Sequence, residues 1–435
     1  MKILTVLTAC LAPVQIVSAA ASYFDKTVPG SSDGKNHPTY HTYGNAGVKS
    51  TKSQKRYAEL ITSGATVGHP VTAWPFRLGT RDVNKGYLRR IPYCFVDKRS
   101  YEKIGETCKF ADAIEIWKNG LGGTASREHH HSLVIKKPEN PEDYCCTEYE
   151  YGPENRLIEE GDLHCEWNAE KYPKDALAIH WLDDIKLNGR AAQAQLGYTA
   201  EEHDAEAGRH WMHVGDSASA ANIAHELGHV LGMSHEHQRW DRDDHILFRC
   251  DSLVGIFDAV DGLQADRPGL SEQDALDLLC TDRELAIEYG SPSSEYGKYN
   301  HFSLYYFYRI PQEGRFADIL PNNLVKGDGL SQKQEPIFDG PGGFDVDSIM
   351  IYPSMANSHG AENNAHLDDA VLVRIKKDES GKKVPADDWR ILPPTQITQQ
   401  DATFVRRFYA WDERKAREFH DARNEEESNK GKRVR

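Results

Sequence analysis

His225-Glu226-Leu227-Gly228-His229-Val230-Leu231-Gly232-Met233-Ser234-His235-Glu236 is the stretch on which the reading of this chain turns. In a helix, residues i and i+4 share a face, so His225 and His229 can aim two imidazoles at one point. Glu226 follows His225 on the flank from which a carboxylate reaches that point. Gly232 permits the positive-φ turn that ends a helix, and once the chain reverses there His235 can bring a third imidazole. Three neutral imidazoles suit a zinc ion at about 2.0–2.1 Å and leave one position open for water. The expectation is therefore one zinc per chain, with Glu226 placed to take a proton from the activated water. HExxH alone recurs by chance in helices. The glycine and third histidine, placed where the geometry demands them, set this pattern apart.

A second constellation lies far downstream. Ser348-Ile349-Met350-Ile351-Tyr352 follows the glycine-rich Pro341-Gly342-Gly343-Phe344-Asp345-Val346-Asp347. Read alone it is β-favouring. Read with the histidine pattern, it becomes a methionine-containing turn beneath the ligands. Around these two motifs, Ile91–Val96 and Ala176–Leu182 are short apolar strand patterns, while Tyr101–Leu121 and Gln396–Trp411 carry helical spacing. Residues Ser217–Leu231 read as the metal helix, with Ser217 or Ser219 available as its N-cap.

Together these residues resemble the astacin family of metzincin zinc endopeptidases. The motif continues as His235-Glu236-His237-Gln238-Arg239-Trp240-Asp241-Arg242-Asp243, similar to that family's HExxHxxGxxHE followed by R-x-D-R-D, and Ser348, Met350 and Tyr352 match its SxMxY. The resemblance implies an α+β, two-lobed protease. Its upper lobe would hold a twisted, mostly parallel sheet and the active-site helix, above an irregular lower lobe. It further implies that Met350 forms the Met-turn, that Tyr352 is a switching tyrosine able to donate to the transition state, and that Glu236 is the buried acid anchoring a mature N-terminus. Departures are Trp240 where the family prefers proline, Ile351 where it prefers histidine, and no FxGD motif near the N-terminus. The long spacing from His235 to Met350 implies an insertion at about 245–340.

Composition agrees with an exported peptidase. A chain of 435 residues with 39% apolar content can bury a sizeable core, and a net charge of −15 argues against nucleic acid as a partner. Residues 1–20 read as a secretory leader, from Lys2 through an apolar run to Ser18-Ala19-Ala20. No other stretch approaches a membrane span. Residues 21–84 read as a flexible segment or pro-region, 85–412 as the catalytic domain with its insertion, and 413–435 as a charged tail. Once Cys10 leaves with the leader, seven cysteines remain, so one thiol is expected free or bridging chains. Cys250–Cys280 and Cys165 with Cys145 or Cys146 are the local pairings expected in an oxidising compartment. Helical spacing over Ser271–Glu288 and the Cys250–Cys280 pair give the insertion the character of a small helical lid, and the aromatic run His301–Tyr308 is expected to be core. Two functions compete: a secreted endopeptidase acting on peptide or protein substrates, and a secreted zinc-binding effector or pseudo-protease with a blocked cleft. Intact Glu226 and Tyr352 favour the enzyme, since a structural zinc site needs no general base.

Overall fold

The computed structural model describes residues 71–76, 88–140, 142–149, 165–183, 187, 190–199, 201, 205–239, 241–296, 344–360 and 365–411. The expected leader, most of residues 21–84, the aromatic run His301–Tyr308, the later part of the insertion, Trp240 and the charged tail lie outside them. The frame is a five-stranded sheet. It is built from β1 (Arg89–Phe95), β2 (Leu133–Lys136), β3 (Leu177–Trp181), β4 (Ala192–Ala194) and β5 (Trp211–Val214), in the order β2-β1-β3-β5-β4. All neighbours run parallel except β4, which is antiparallel to β5 and ends the sheet. Strand β3, Leu-Ala-Ile-His-Trp, is buried at every position, as a parallel strand covered on both faces should be.

Two helices cover one face of the sheet. Helix α1 (Lys109–Gly120) buries Phe110, Ala113 and Trp117. Helix α2 (Ala220–Leu231) buries Ile223, Ala224, Leu227, Val230 and Leu231, the 3.6-residue spacing read from sequence. The Trp117 indole donates to the Ala224 carbonyl at 2.8 Å, so an apolar ring also fixes the height of one helix on the other. Ser219 is the N-cap of α2, in a reciprocal box with Asn222. Gly232 closes the helix at φ 101°, the left-handed conformation in which a side chain would be strained.

The other face packs on Cys94, Val96, Ala178 and Tyr172, and there Cys94 pairs with Cys145 and Cys146 with Cys165. Of the two alternatives for Cys165, the structure takes Cys146. Cys108 is also disulfide-bonded, and Cys10, which the expected leader would carry away, lies outside the described residues.

A second core lies below the metal helix. It joins β6 (Ile246–Phe248), α3 (Ile256–Asp266), α4 (Glu272–Thr281) and α5 (Arg283–Glu288) to Ile351, Val371 and Leu372. Strand β6 pairs with β7 (Leu372–Lys377), which pairs with β8 (Lys383–Pro385). Cys250–Cys280 ties the approach to α3 onto α4. The first part of the insertion is therefore built into the lower core rather than projecting from it. A last helix, α6 (Gln399–Phe408), returns to the upper core through Ala402, Phe404, Val405 and Phe408. The α+β class with a mostly parallel sheet above the active-site helix is as the sequence implied, although the lower part holds more regular structure than expected. No described helix is long and apolar enough to cross a membrane.

Candidate metal centre and active site

Helix α2 carries His225 and His229 one turn apart, and the reversal at Gly232 brings His235 to them. The ring nitrogens converge: Nε2 of His235 lies 3.1 Å from Nε2 of His229 and 3.1 Å from Nε2 of His225. Tetrahedral ligands at about 2.0–2.1 Å from zinc stand roughly 3.3 Å apart, so this triangle fits the ion with almost no rearrangement. It is the one cluster of its kind among the described residues. The opposite nitrogens fix the tautomers. His225 Nδ1 donates to the Ile349 carbonyl at 2.7 Å and His229 Nδ1 to the Met233 carbonyl at 2.8 Å, and a carbonyl only accepts. Each Nε2 therefore presents its lone pair inward. Burial lowers the pKa of His225 to about 4, burial with the neighbouring His225 lowers His229 to about 3, and His235 falls well below its ordinary value for the same reasons. All three are therefore neutral at pH 7 and able to serve as ligands.

Glu226 is buried at 7% exposure beside them. Burial raises its carboxyl to about 8, against the pull of the Arg190 guanidinium and a hydrogen bond from the Ala194 backbone N–H in β4. A bound dication would draw that value back down. Its Oε2 is a buried atom without a hydrogen-bond partner. An orphaned carboxylate oxygen next to three convergent imidazoles is what a site that takes a polar hydrogen-bearing group should leave open.

The floor is the turn at Ser348–Ile351. It is held from α6: Ser348 Oγ donates to Asp401 Oδ1 at 2.6 Å, and the Ile349 N–H donates to Asp401 Oδ2 at 2.9 Å. Ser348 Oγ also accepts the Met350 N–H. The turn then passes order upward, because the Ile349 carbonyl is the acceptor that orients His225, and the Met350 carbonyl accepts from Glu236 N at 3.0 Å. Met350 is fully buried, and its sulfur sits where a Cβ on Gly228 would be. That close approach explains a glycine in the middle of a helix, where it costs about 1 kcal/mol in propensity. Ile351, the departure from the family pattern, points into the lower core.

Tyr352 follows, its ring centroid 4.4 Å from His235 and 4.5 Å from His237. Burial, reinforced by Glu295, holds its phenol well above the usual range, so it keeps its proton. Glu236 is buried in an ion pair with Arg239 at 3.2 Å and accepts the Asp345 N–H at 2.9 Å. Arg239 in turn grips Asp241 through two bonds of 2.9 and 2.8 Å. The R-x-D-R-D string is thus a brace for the segment after the third histidine, and Arg242 continues it by donating to the His237 carbonyl at 3.1 Å.

The structure brings together all of the expected site residues: His225, His229 and His235 as a triangle, Glu226 and Tyr352 beside it, and Gly232, Met350 and Glu236 in support. Asp401, Arg190 and Glu295 were not singled out for the site from sequence. Only Asp401 carried a local signal, since Thr398-x-x-Asp401 reads as a capping box and forms one.

No curated protein matches this chain. Among solved structures it is similar to high choriolytic enzyme 1, a hatching-enzyme zinc-protease from Oryzias latipes (medaka fish), at 14% identity over 77% of this chain and 94% of that one, with a TM-score of 0.34. It is also similar to myroilysin, at 12% identity over 78% of this chain and 96% of that one, with a TM-score of 0.32. At such scores neither likeness adds weight to the assignment. The family described as Astacin (Peptidase family M12A) matches residues 206–256, which run from the approach to β5 through the metal helix to the first residue of α3. Over that segment the chain is similar to the astacin peptidase family, in keeping with the resemblance of its sequence.

Proposed function

We propose that this chain is a secreted endopeptidase that holds one zinc through His225, His229 and His235 and uses Glu226 as its general base. The single observation that carries the reading is the partnerless Oε2 of buried Glu226 beside three neutral imidazoles. Zinc, when bound, supplies Lewis-acid polarisation of the scissile carbonyl and acidifies the attacking water. Glu226 takes the proton from that water and delivers it to the leaving amine, its carboxylate steadied by the Ala194 N–H. Tyr352, protonated and beside His235, donates a hydrogen bond to the developing oxyanion. Among the described residues strand β4 has β5 as its one partner in the sheet, and its other edge suits an extended peptide. Glu236, buried and paired with Arg239, is the acid to which a trimmed N-terminus would be drawn. The leader pattern and the disulfides support export through an oxidising compartment.

Purified protein is expected to contain one zinc per chain and to cleave an unfolded protein. Cleavage should stop on chelation and return with added zinc. His229→Ala is expected to lose the metal, because the remaining two imidazoles no longer close the triangle. Full zinc content in that variant, measured by elemental analysis, would remove the ligand assignment.

A further inference from the structure

His237, two residues past the third histidine of the triangle, has no part in the chemistry above, yet it is fully buried against the site. Its ring stacks on His235 at 4.9 Å and lies 4.5 Å from the ring of Tyr352. Both of its nitrogens are committed. The Glu295 carbonyl only accepts, so Nε2 carries the proton and donates to it at 3.2 Å. Nδ1 is then the acceptor, and it takes the backbone N–H of Tyr352 at 3.4 Å. With each nitrogen engaged in this way, His237 is not a fourth ligand, and it stands outside the histidine triangle.

What it touches is the tyrosine. The floor turn is held as far as Met350, by Asp401 at Ser348 and Ile349 and by the Glu236 N–H at the Met350 carbonyl. Two residues on, the Tyr352 N–H goes to His237. The Tyr352 ring also meets the ring of Tyr296 edge-on, at 5.8 Å and 75°. Tyr296 is itself fixed: it is fully buried, stacks on Phe248 at 5.1 Å and donates to the Ala356 carbonyl at 2.7 Å. Glu295 and Tyr296 end the described part of the insertion, so the insertion returns to the site at this tyrosine. Aim is what such a donor needs. A hydroxyl speeds the reaction when it already points at the developing oxyanion, and an error of about 1 Å forfeits much of its effect.

We propose that His237 is a positioning residue for Tyr352, and that the insertion sets it through the Glu295 carbonyl and the Tyr296 ring. The imidazole carries orientation from a backbone carbonyl on one nitrogen to a backbone N–H on the other. This role deepens the endopeptidase reading above and rests on it. Simple packing would cost the same whatever stands at position 352. Positioning acts through the Tyr352 hydroxyl alone.

The test is a double-substitution cycle on the full zinc-loaded protein, using a peptide taken from its own cleavage products. His237→Phe keeps a ring of similar shape and loses both hydrogen bonds, while the Glu295 carbonyl retains Gln238. Its kcat is expected to fall about ten-fold, with KM within about two-fold of the wild type and zinc content complete. His237→Asn returns an acceptor for the Tyr352 N–H and should recover part of the loss. In a Tyr352→Phe background, His237→Phe should cost less than about two-fold, because the hydroxyl it serves is gone. Binding of a phosphinic peptide, a mimic of the tetrahedral transition state, should weaken about ten-fold in His237→Phe and no further in the Tyr352→Phe background. Equal losses in both backgrounds, or an unaltered kcat in His237→Phe, would overturn the proposal. If His237→Phe does not fold, Tyr296→Leu runs the same cycle, and additive losses there overturn it equally. Absence of any cleavage by the zinc-loaded wild type would instead remove the endopeptidase reading, and the proposal with it.

Discussion

Glu226→Gln is expected to bind zinc as the wild type does and to cleave peptides about 10²–10⁴-fold more slowly, the range a positioned general base supplies. The substitution keeps the shape and the oxygen that accepts from Ala194 N–H, so helix α2 and the edge strand stay joined. It replaces the oxygen that has no partner with an amide nitrogen, which carries hydrogens and cannot take one from water. Neither His225 nor His229 depends on Glu226 for its tautomer, because their fixed acceptors are the carbonyls of Ile349 and Met233. Metal content and turnover are therefore separable here. Zinc analysis and single-turnover cleavage on the same preparation settle the point, and hydrolysis at the wild-type rate would exclude Glu226 as the base.

Asp401→Ala is expected to destabilise the protein by about 3 kcal/mol and to weaken zinc binding by roughly ten-fold or more, although the residue touches no ligand. Removing the carboxylate strands the buried Ser348 hydroxyl and Ile349 N–H, each orphan costing about 1–3 kcal/mol, and frees the half-buried Thr398 N–H. Part of that loss is returned, because burial raises Asp401 to about 6 and the group is itself costly to keep charged. The effect on metal runs through geometry: with Ser348 and Ile349 released, the carbonyl that orients His225 is no longer fixed. Thermal denaturation gives the first number and a competitive chelator titration the second. Asp401→Asn keeps one acceptor and should lose less of both, and an unaltered zinc affinity in Asp401→Ala would cut the link from α6 to the ligand set.

What was legible in the sequence follows from how local each signal is. The triangle needed only a helical repeat, a glycine and one further histidine, all within residues 225–235, so spacing alone carried it. The helices over Lys109–Gly120, Ala220–Leu231 and Gln399–Phe408 showed because each lays a regular apolar stripe on a core. Ser348–Tyr352 was ambiguous for a physical reason: apolar residues in a tight, fully buried turn look like those of a buried strand. Only the partner motif decides. Cys94–Cys145 was not foreseen, since the two stand 51 residues apart and nothing local relates them. Arg190 and Glu295 were invisible for the same reason. They lie outside the periodic segments, 105 residues apart, and their 3.0 Å ion pair depends on tertiary placement alone.

The carbonyl of Glu295 accepts from His237 and Gln238, two and three residues after His235, and Tyr296 stacks on Phe248 at 5.1 Å while its hydroxyl donates to the Ala356 carbonyl at 2.7 Å. Ordering the ligand segment and ordering the helical bundle clipped by Cys250–Cys280 are thus one thermodynamic event. Free zinc at a thousand times its dissociation constant adds about 4 kcal/mol to whatever folds with the site, so the ion becomes a tenant whose departure loosens a whole storey. In the apo protein the amides of α3 and α4 should exchange with deuterium faster than in the zinc form, and the strands β1 and β3 much less so. Metal supply would then set how long this part of the molecule survives other proteases, and not only how fast it works on its own substrates.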